Sequence, residues 1–158
     1  HLAAEALNAA TGIQVQHVPS PGSAPAITDA INGTVAYNIE TYGTLLPHHR
    51  AGALRIVATL AEERTAIAPE IPTAKEQGWD VSAGTYNLLA APVGTPRDVM
   101  EQVSGAIGRV MAKQEMQARL AALGITGYAR SNPDEAKAFV EAEIARWRPI
   151  VQRLGIAL

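Results

Sequence analysis

The segment Ile13-Gln14-Val15-Gln16-His17-Val18-Pro19-Ser20-Pro21-Gly22-Ser23 carries the most architectural information in the chain. Apolar and polar residues alternate over 13–18, the period of a half-buried strand. Pro19 and Pro21 break that run. Ser23 is then placed to cap a helix over about 24–32, with Pro25 in its first turn and Gly33 closing it.

Working outward, Leu2, Ala3, Ala6, Leu7 and Ala10 recur at helical spacing before Gly12. Downstream, Val35-Ala36-Tyr37-Asn38-Ile39 reads as a second strand. Glu40-Thr41 leads into a helix with Pro47 in its first turn and Gly52 at its end. Residues 53–60, with Leu54-Arg55-Ile56-Val57-Ala58-Thr59 at their centre, read as a third strand. Strands alternating with short helices predict βαβ units, a largely parallel sheet and an α/β fold.

Near residue 85 the composition shifts. Before it come a polar loop over 61–70 and a capping box, Thr73-Ala74-Lys75-Glu76, on a helix of little more than one turn. After an extended region over 81–93, whose second half is apolar (Leu88-Leu89-Ala90-Ala91), the chain reads as mostly helical. Thr95 is expected to cap a helix with Pro96 at its first position. Val99, Val103, Ile107 and Val110 form a stripe, continued by Met116, Leu120 and Leu123 before Gly124. Asn132-Pro133 starts the last helix. Its predicted buried face is Phe139, Val140, Ile144, Trp147, Val151 and Leu154, ended by Gly155. These helices need a sheet to cover, yet only one strand, about 87–93, lies near them.

Composition narrows the functional classes. The chain has 158 residues, 47% hydrophobic and 18% charged, with a net charge of −2. Length alone fits one domain, and the mix excludes a disordered chain. No apolar run is long enough for a transmembrane helix. Thirteen Lys and Arg against fifteen Asp and Glu leave no basic excess for phosphate, so nucleic acid is not an expected partner. Without Cys there is neither thiolate chemistry nor a disulfide.

Catalytic and metal patterns are also lacking. There is no nucleophile elbow, and Ser20 and Ser23 near His17 are explained by a proline turn, so no catalytic residue is assigned. His48 and His49 are adjacent and point to different faces of a helix, and His1 and His17 have no partner at i+3 or i+4, so no metal is expected. No glycine-rich phosphate loop is present and no cofactor is implied. What remains is two helix N-termini, each directly after a predicted strand. One is Ser20-Pro21-Gly22-Ser23 and the other Glu40-Thr41-Tyr42-Gly43-Thr44. Ligands of open α/β sheets sit beyond the carboxyl ends of strands, and helix N-termini suit anions. Ser20, Gly22, Ser23, Glu40 and Thr41 are therefore the candidate ligand-binding residues. The competing interpretation is that they are helix caps and nothing more.

An ordered set of motifs spans nearly the whole chain. It runs His1-Leu2-Ala3-x-Glu5, Thr11-Gly12, His17-Val18-Pro19, Gly22-Ser23-Ala24-Pro25-Ala26, Gly33-Thr34-Val35 and Leu46-Pro47-His48. It continues with Arg50-Ala51-Gly52-x-Leu54-Arg55, Pro72-Thr73-x-x-Glu76-x-Gly78, Ala91-Pro92-x-Gly94-Thr95-Pro96 and Glu141-x-Glu143-Ile144-x-Arg146-Trp147. This set resembles the solute-binding proteins of tripartite tricarboxylate transporters, the Bug or TctC family, over their C-terminal half.

The resemblance implies a type II-like periplasmic binding protein fold in partial form. Residues 1–84 would be most of the second ligand-binding lobe. Residues 85–158 would be the returning C-terminal part of the first lobe, lacking its N-terminal sheet. It implies a periplasmic parent with a signal peptide in its first half. That parent would bind a small carboxylate or amino acid between its lobes and deliver it to a membrane permease. In the family the loop at Ser20-Pro21-Gly22-Ser23 commonly reads Tyr-Lys-Gly-Ser. Gly22 and Ser23 match, while Ser20 and Pro21 depart. Glu40 stands where Asp is usual, and Tyr86-Asn87-Leu88 replaces a stretch that usually carries Trp and Gly. The resemblance implies a binder and not an enzyme. The alternatives are an enzyme on a similar α/β fold acting on a small anion, with Glu40 as its one candidate base, or a ligand-sensing or interaction module. Half a receptor with open edges is expected to associate as a homodimer or swapped assembly.

Overall fold

The structure, a computed structural model, describes residues 1–125, 127 and 132–155. It divides into two compact units, His1–Thr85 and Tyr86–Leu158.

In the first unit, α1 spans Leu2–Thr11, α2 Ser23–Ile31 and α3 Tyr42–Arg50. Alanine and leucine carry α1, the residues that lose least on entering a helix. It stops at Gly12, whose φ of 73° is left-handed and whose N–H donates to the Asn8 carbonyl. Pro47 falls in the second turn of α3 and not its first, because that helix begins at Tyr42, five residues earlier. The basic end of α3 puts His48, His49 and Arg50 beside its free carbonyls, the favourable end of the dipole for cations. Arg50 also donates to the Ile67 carbonyl at 2.9 Å, tying α3 to the following loop.

The predicted parallel sheet reduces, among the described residues, to one parallel bridge between Thr59 and Thr73. Thr59 donates to the Pro72 carbonyl at 2.9 Å and accepts from Ala74 at 2.8 Å, while Ala83 donates to Leu60 at 2.8 Å. Residues 13–18, 35–39 and 87–93 run without regular secondary structure, and of 53–60 only Thr59 pairs. The physical reason is plain. Alternation along a segment reports which face it would bury, but a strand exists only where a neighbour closes the ladder. Ile13 and Val18 are accordingly more than half exposed.

The core of this unit gathers Leu46, Ala68 and Ile71, with Tyr42, Ile56 and Ile67 packed against them. The reciprocal bonds read between Thr73 and Glu76 form, but Ala74, not Thr73, is the cap residue of the turn they precede. Thr73 N–H donates to Glu76 Oε2 at 2.8 Å, and Glu76 N–H to Thr73 Oγ1 at 3.1 Å. That turn is a single 3₁₀ turn, Lys75–Gln77. Arg64 Nε donates to both Glu76 oxygens at 2.9 Å and Arg64 Nη1 to the Pro69 carbonyl at 2.7 Å. Lys75 pairs with Glu62.

The second unit holds α4 (Arg97–Met111), α5 (Gln114–Ala122) and α6 (Pro133–Leu154). Pro96, not Thr95, is the cap residue of α4. The Thr95 hydroxyl donates back to the Pro92 carbonyl at 2.8 Å. The stripe read as continuous is broken at Ala112-Lys113, so Met116 and Leu120 belong to a separate helix. The start of α6 agrees with the sequence in detail. The Asn132 side chain accepts from Glu135 N–H at 2.9 Å and Glu135 reaches back to Asn132 N–H. The predicted buried face of α6 is only partly covered, with Phe139 and Ile144 about half exposed. Arg97 links α4 to α6 through two bonds to Asp134, at 2.6 and 3.2 Å, and pairs with Glu101 one turn along its own helix. Tyr86 packs edge-on against Phe139 at 4.9 Å.

Candidate functional site

The extended segment before α3 delivers Glu40 to the first residue of α2. The Glu40 carboxylate accepts from the Thr41 backbone N–H at 2.7 Å, and the Ser23 and Thr41 hydroxyls lie close enough to favour its ionised form. The Ser23 hydroxyl is the main reason that its pKa lies below the usual carboxylate value; partial burial works the other way. Thr41 is the cap residue of α3, and its hydroxyl lies 2.6 Å from that of Thr44. Two helix starts therefore meet at one ionised carboxylate. Their first-turn N–H groups offer a positive dipole end beside it.

Ser23, Glu40 and Thr41 come together in this way; Ser20 and Gly22 do not join them in the same manner. Ser20 spends its hydroxyl on the Gly22 carbonyl at 3.1 Å. Gly22, not Ser23, occupies the cap position of α2, with φ at 165°, which is extended backbone open to any residue. A Cβ at Gly22 would meet nothing within 4 Å, so the loop is open there and does not itself require a glycine. Ser23 is the first residue of α2 and so lies one position past the cap.

Sequence reasoning passed over Asn38 and Tyr42. The Asn38 side-chain nitrogen and the Tyr42 hydroxyl are buried with no partner among the described residues. Burial pushes the Tyr42 phenol up, with Glu70 adding to it. The signal for Asn38 was its position two residues before Glu40 on an extended segment, which puts both on one side.

Three of the four histidines make contacts inside the first unit. His49 Nδ1 accepts from Ile56 N–H at 3.3 Å, and the His1 and His17 rings stack at 3.9 Å. Among the described residues no three His, Asp or Glu converge as metal ligands, and no helix is long and apolar enough to cross a membrane.

Comparison with known proteins identifies the family. The family described as the tripartite tricarboxylate transporter family receptor, TctC, matches residues 1–156. The chain belongs to that family. BugT of Bordetella pertussis is 31% identical over 159 aligned residues, which take in 100% of this chain and 48% of BugT. Among solved structures, the R. palustris protein Rpa4515 with adipate superposes with a TM-score of 0.84 at 28% identity, covering 99% of this chain and 52% of that one. MatC of Rhodopseudomonas palustris with bound malate gives 0.79 at 27% identity, covering 95% and 52%. The chain thus spans about half the length of these three relatives, and its fold is a partial TctC-type periplasmic binding protein fold.

Proposed function

We propose that this chain is the C-terminal half of an extracytoplasmic solute receptor that binds a small carboxylate or amino acid and passes it to a membrane permease. The observation that carries this reading is that two relatives of the same fold, at 28% and 27% identity, were solved with adipate and malate. Residues 1–84 would be most of the second lobe and 85–158 the returning part of the first. The composition shift near residue 85 supports that division.

In this reading Ser23, Glu40 and Thr41 line the ligand site, and Ser20 and Gly22 border it. Free N–H groups at the starts of α2 and α3 would take the ligand carboxylate. Glu40 would accept from an ammonium or hydroxyl group and repel a second carboxylate placed beside it. Binding is favoured over turnover, because a carboxylate held well ionised by Ser23 and Thr41 is a weak base at neutral pH.

Calorimetry tests this on a receptor of full family length that carries these 158 residues. Saturable binding of adipate, malate or an amino acid is expected. Ser23→Ala should weaken it by about tenfold or more, and Glu40→Ala should do so for malate or an amino acid, which carry a hydroxyl or ammonium donor, but not for adipate. The 158 residues alone should bind far more weakly, since closure around a ligand needs both lobes. A full-length receptor that takes none of these ligands would overturn the reading.

A further inference from the structure

Thr41 departs from the role that its place at the start of α3 gives it. It is the cap residue, with extended backbone. A cap threonine normally turns its oxygen onto the N–H of the second or third helical residue. Here no such side-chain bond forms. The N–H of Thr44, the third residue of the helix, donates to the Thr41 carbonyl at 3.1 Å. The Thr41 hydroxyl lies 2.6 Å from the Thr44 hydroxyl and acts on Glu40, whose carboxylate also takes the Thr41 N–H at 2.7 Å.

Proton counting gives these contacts a direction. A hydroxyl carries one proton, and an ionised carboxylate only accepts. The Thr41 hydroxyl favours the ionised form of Glu40, so its proton points there. Between the two threonine oxygens, 2.6 Å apart, the donor is then Thr44. A Thr44 hydroxyl that donates to Thr41 holds the Thr41 oxygen away from the helix N–H groups. Removing that donor lets the oxygen rotate to the ordinary cap position, and Glu40 loses a partner. The other influences on Glu40 are the Ser23 hydroxyl, burial, the Thr41 N–H and, weakest, the amino group at His1, the one charged group among them.

We propose that Thr44 is a positioning residue of the ligand site: its hydroxyl donates to Thr41, keeps Thr41 on Glu40 instead of on the helix, and so holds the carboxylate in place for a donor group of the ligand. The proposal rests on the reading of Glu40 as a ligand residue, and its test separates the two.

Both measurements use a receptor of full family length that carries these 158 residues. The first follows the titration of the Glu40 side-chain carboxyl by carbon NMR, assigned by the signal lost in Glu40→Gln. The second is malate calorimetry at neutral pH. Thr44→Val keeps the shape of the side chain and removes its proton donor. The Glu40 midpoint should move up, because a donor that favours the charged form is lost. Malate should bind about fivefold more weakly, the worth of one hydrogen bond. The urea midpoint should not fall, because Thr41 regains its capping bond. Thr44→Ser keeps the hydroxyl and should preserve both the midpoint and the affinity. In a Thr41→Val background Thr44→Val should change nothing further, as expected of a residue that acts through Thr41.

Three results would overturn the proposal: a Glu40 midpoint unmoved by Thr44→Val, an undiminished effect of Thr44→Val in the Thr41→Val background, or weaker malate binding matched by an earlier urea midpoint. The titration needs no ligand, so it decides the role of Thr44 even in a receptor that takes no malate. A moved midpoint with unchanged malate affinity would instead overturn the placement of Glu40 at the ligand.

Discussion

His1–Thr85 buries Ile27, Leu46, Ala68, Ile71, Thr73, Ala74 and Val81, while no described residue of Tyr86–Leu158 is buried. Yet the second unit holds the longer helices, with 15 residues in α4 and 22 in α6 against 9 or 10 in α1 to α3. Helix length and burial therefore part company here. The first unit is held by loops folded over a small core, with Arg64, Glu76 and Thr73 pinning the loop ends. The second is held by local chemistry: a capping box at Asn132, the Arg97–Asp134 link, and pairs one turn apart such as Arg119–Glu115. Its helices are made by rules that act within a few residues.

Each unit contains one tryptophan, Trp79 or Trp147, so unfolding can be followed in each separately. Ile71→Ala should have the largest effect. Ile71 is 2% exposed, and truncating it in so small a core costs about 2 kcal/mol or more, read as an earlier urea midpoint for Trp79 with Trp147 unchanged. A joint shift of both signals would show that the two units unfold as one. Asn132→Ala should come next, at about 1 kcal/mol, the usual cost of losing a helix cap. It should lower the Trp147 midpoint and the helical signal while sparing Trp79.

This contrast also separates what was legible from what was not. The reciprocal bonds at Thr73 and the cap at Asn132 were readable because each needs two residues three apart, and both sets of bonds formed. The Glu40 site was readable in part. Ser23 and Glu40-Thr41 were read as parts of two separate helix starts; the structure brings them together, with Gly22 and not Ser23 at the cap of α2 and Glu40 arriving from a distant segment. No local rule contains that pairing. The strands fared worst. Alternation over 13–18 and 35–39 was real, but pairing depends on chain far away in sequence. Among the described residues only Thr59 and Thr73 find each other. Family resemblance bridged this gap, since an ordered set of weak motifs names a fold without needing any single contact.

Acid should loosen both units, by different residues. Glu76 in the first unit has its pKa lowered by the Thr73 N–H and by Arg64, and Asp134 in the second by Arg97. A carboxylate with a depressed folded pKa adds stability above its ordinary value, 4.5 for Glu and 3.8 for Asp, and loses it as pH falls through the folded value. Trp79 should therefore report loosening first, as pH drops below about 4.5, and Trp147 at lower pH. Glu76→Gln should flatten the first transition only, and Asp134→Asn the second only. A Glu76→Gln protein whose Trp79 acid profile matched the original would remove Glu76 from the account.

The smallest expected effect is the sharpest probe of the comparison. Val103 lies mid-stripe on α4 and is 41% exposed, so Val103→Ala in the 158-residue chain removes little buried surface. Alanine is also the better helix former, which offsets part of the loss. The net change should stay within about 0.5 kcal/mol, the range of ordinary surface substitutions. The same change in a full-length receptor should cost about 1 kcal/mol or more, because there the side chain would leave a hole in a covered face. Equal costs in the two settings would mean that the stripe is a solvent face in both, and that the open appearance of the second unit is its finished state. A large cost already in the short chain would mean that α4 is packed by its own unit, and the contrast between the two units would collapse.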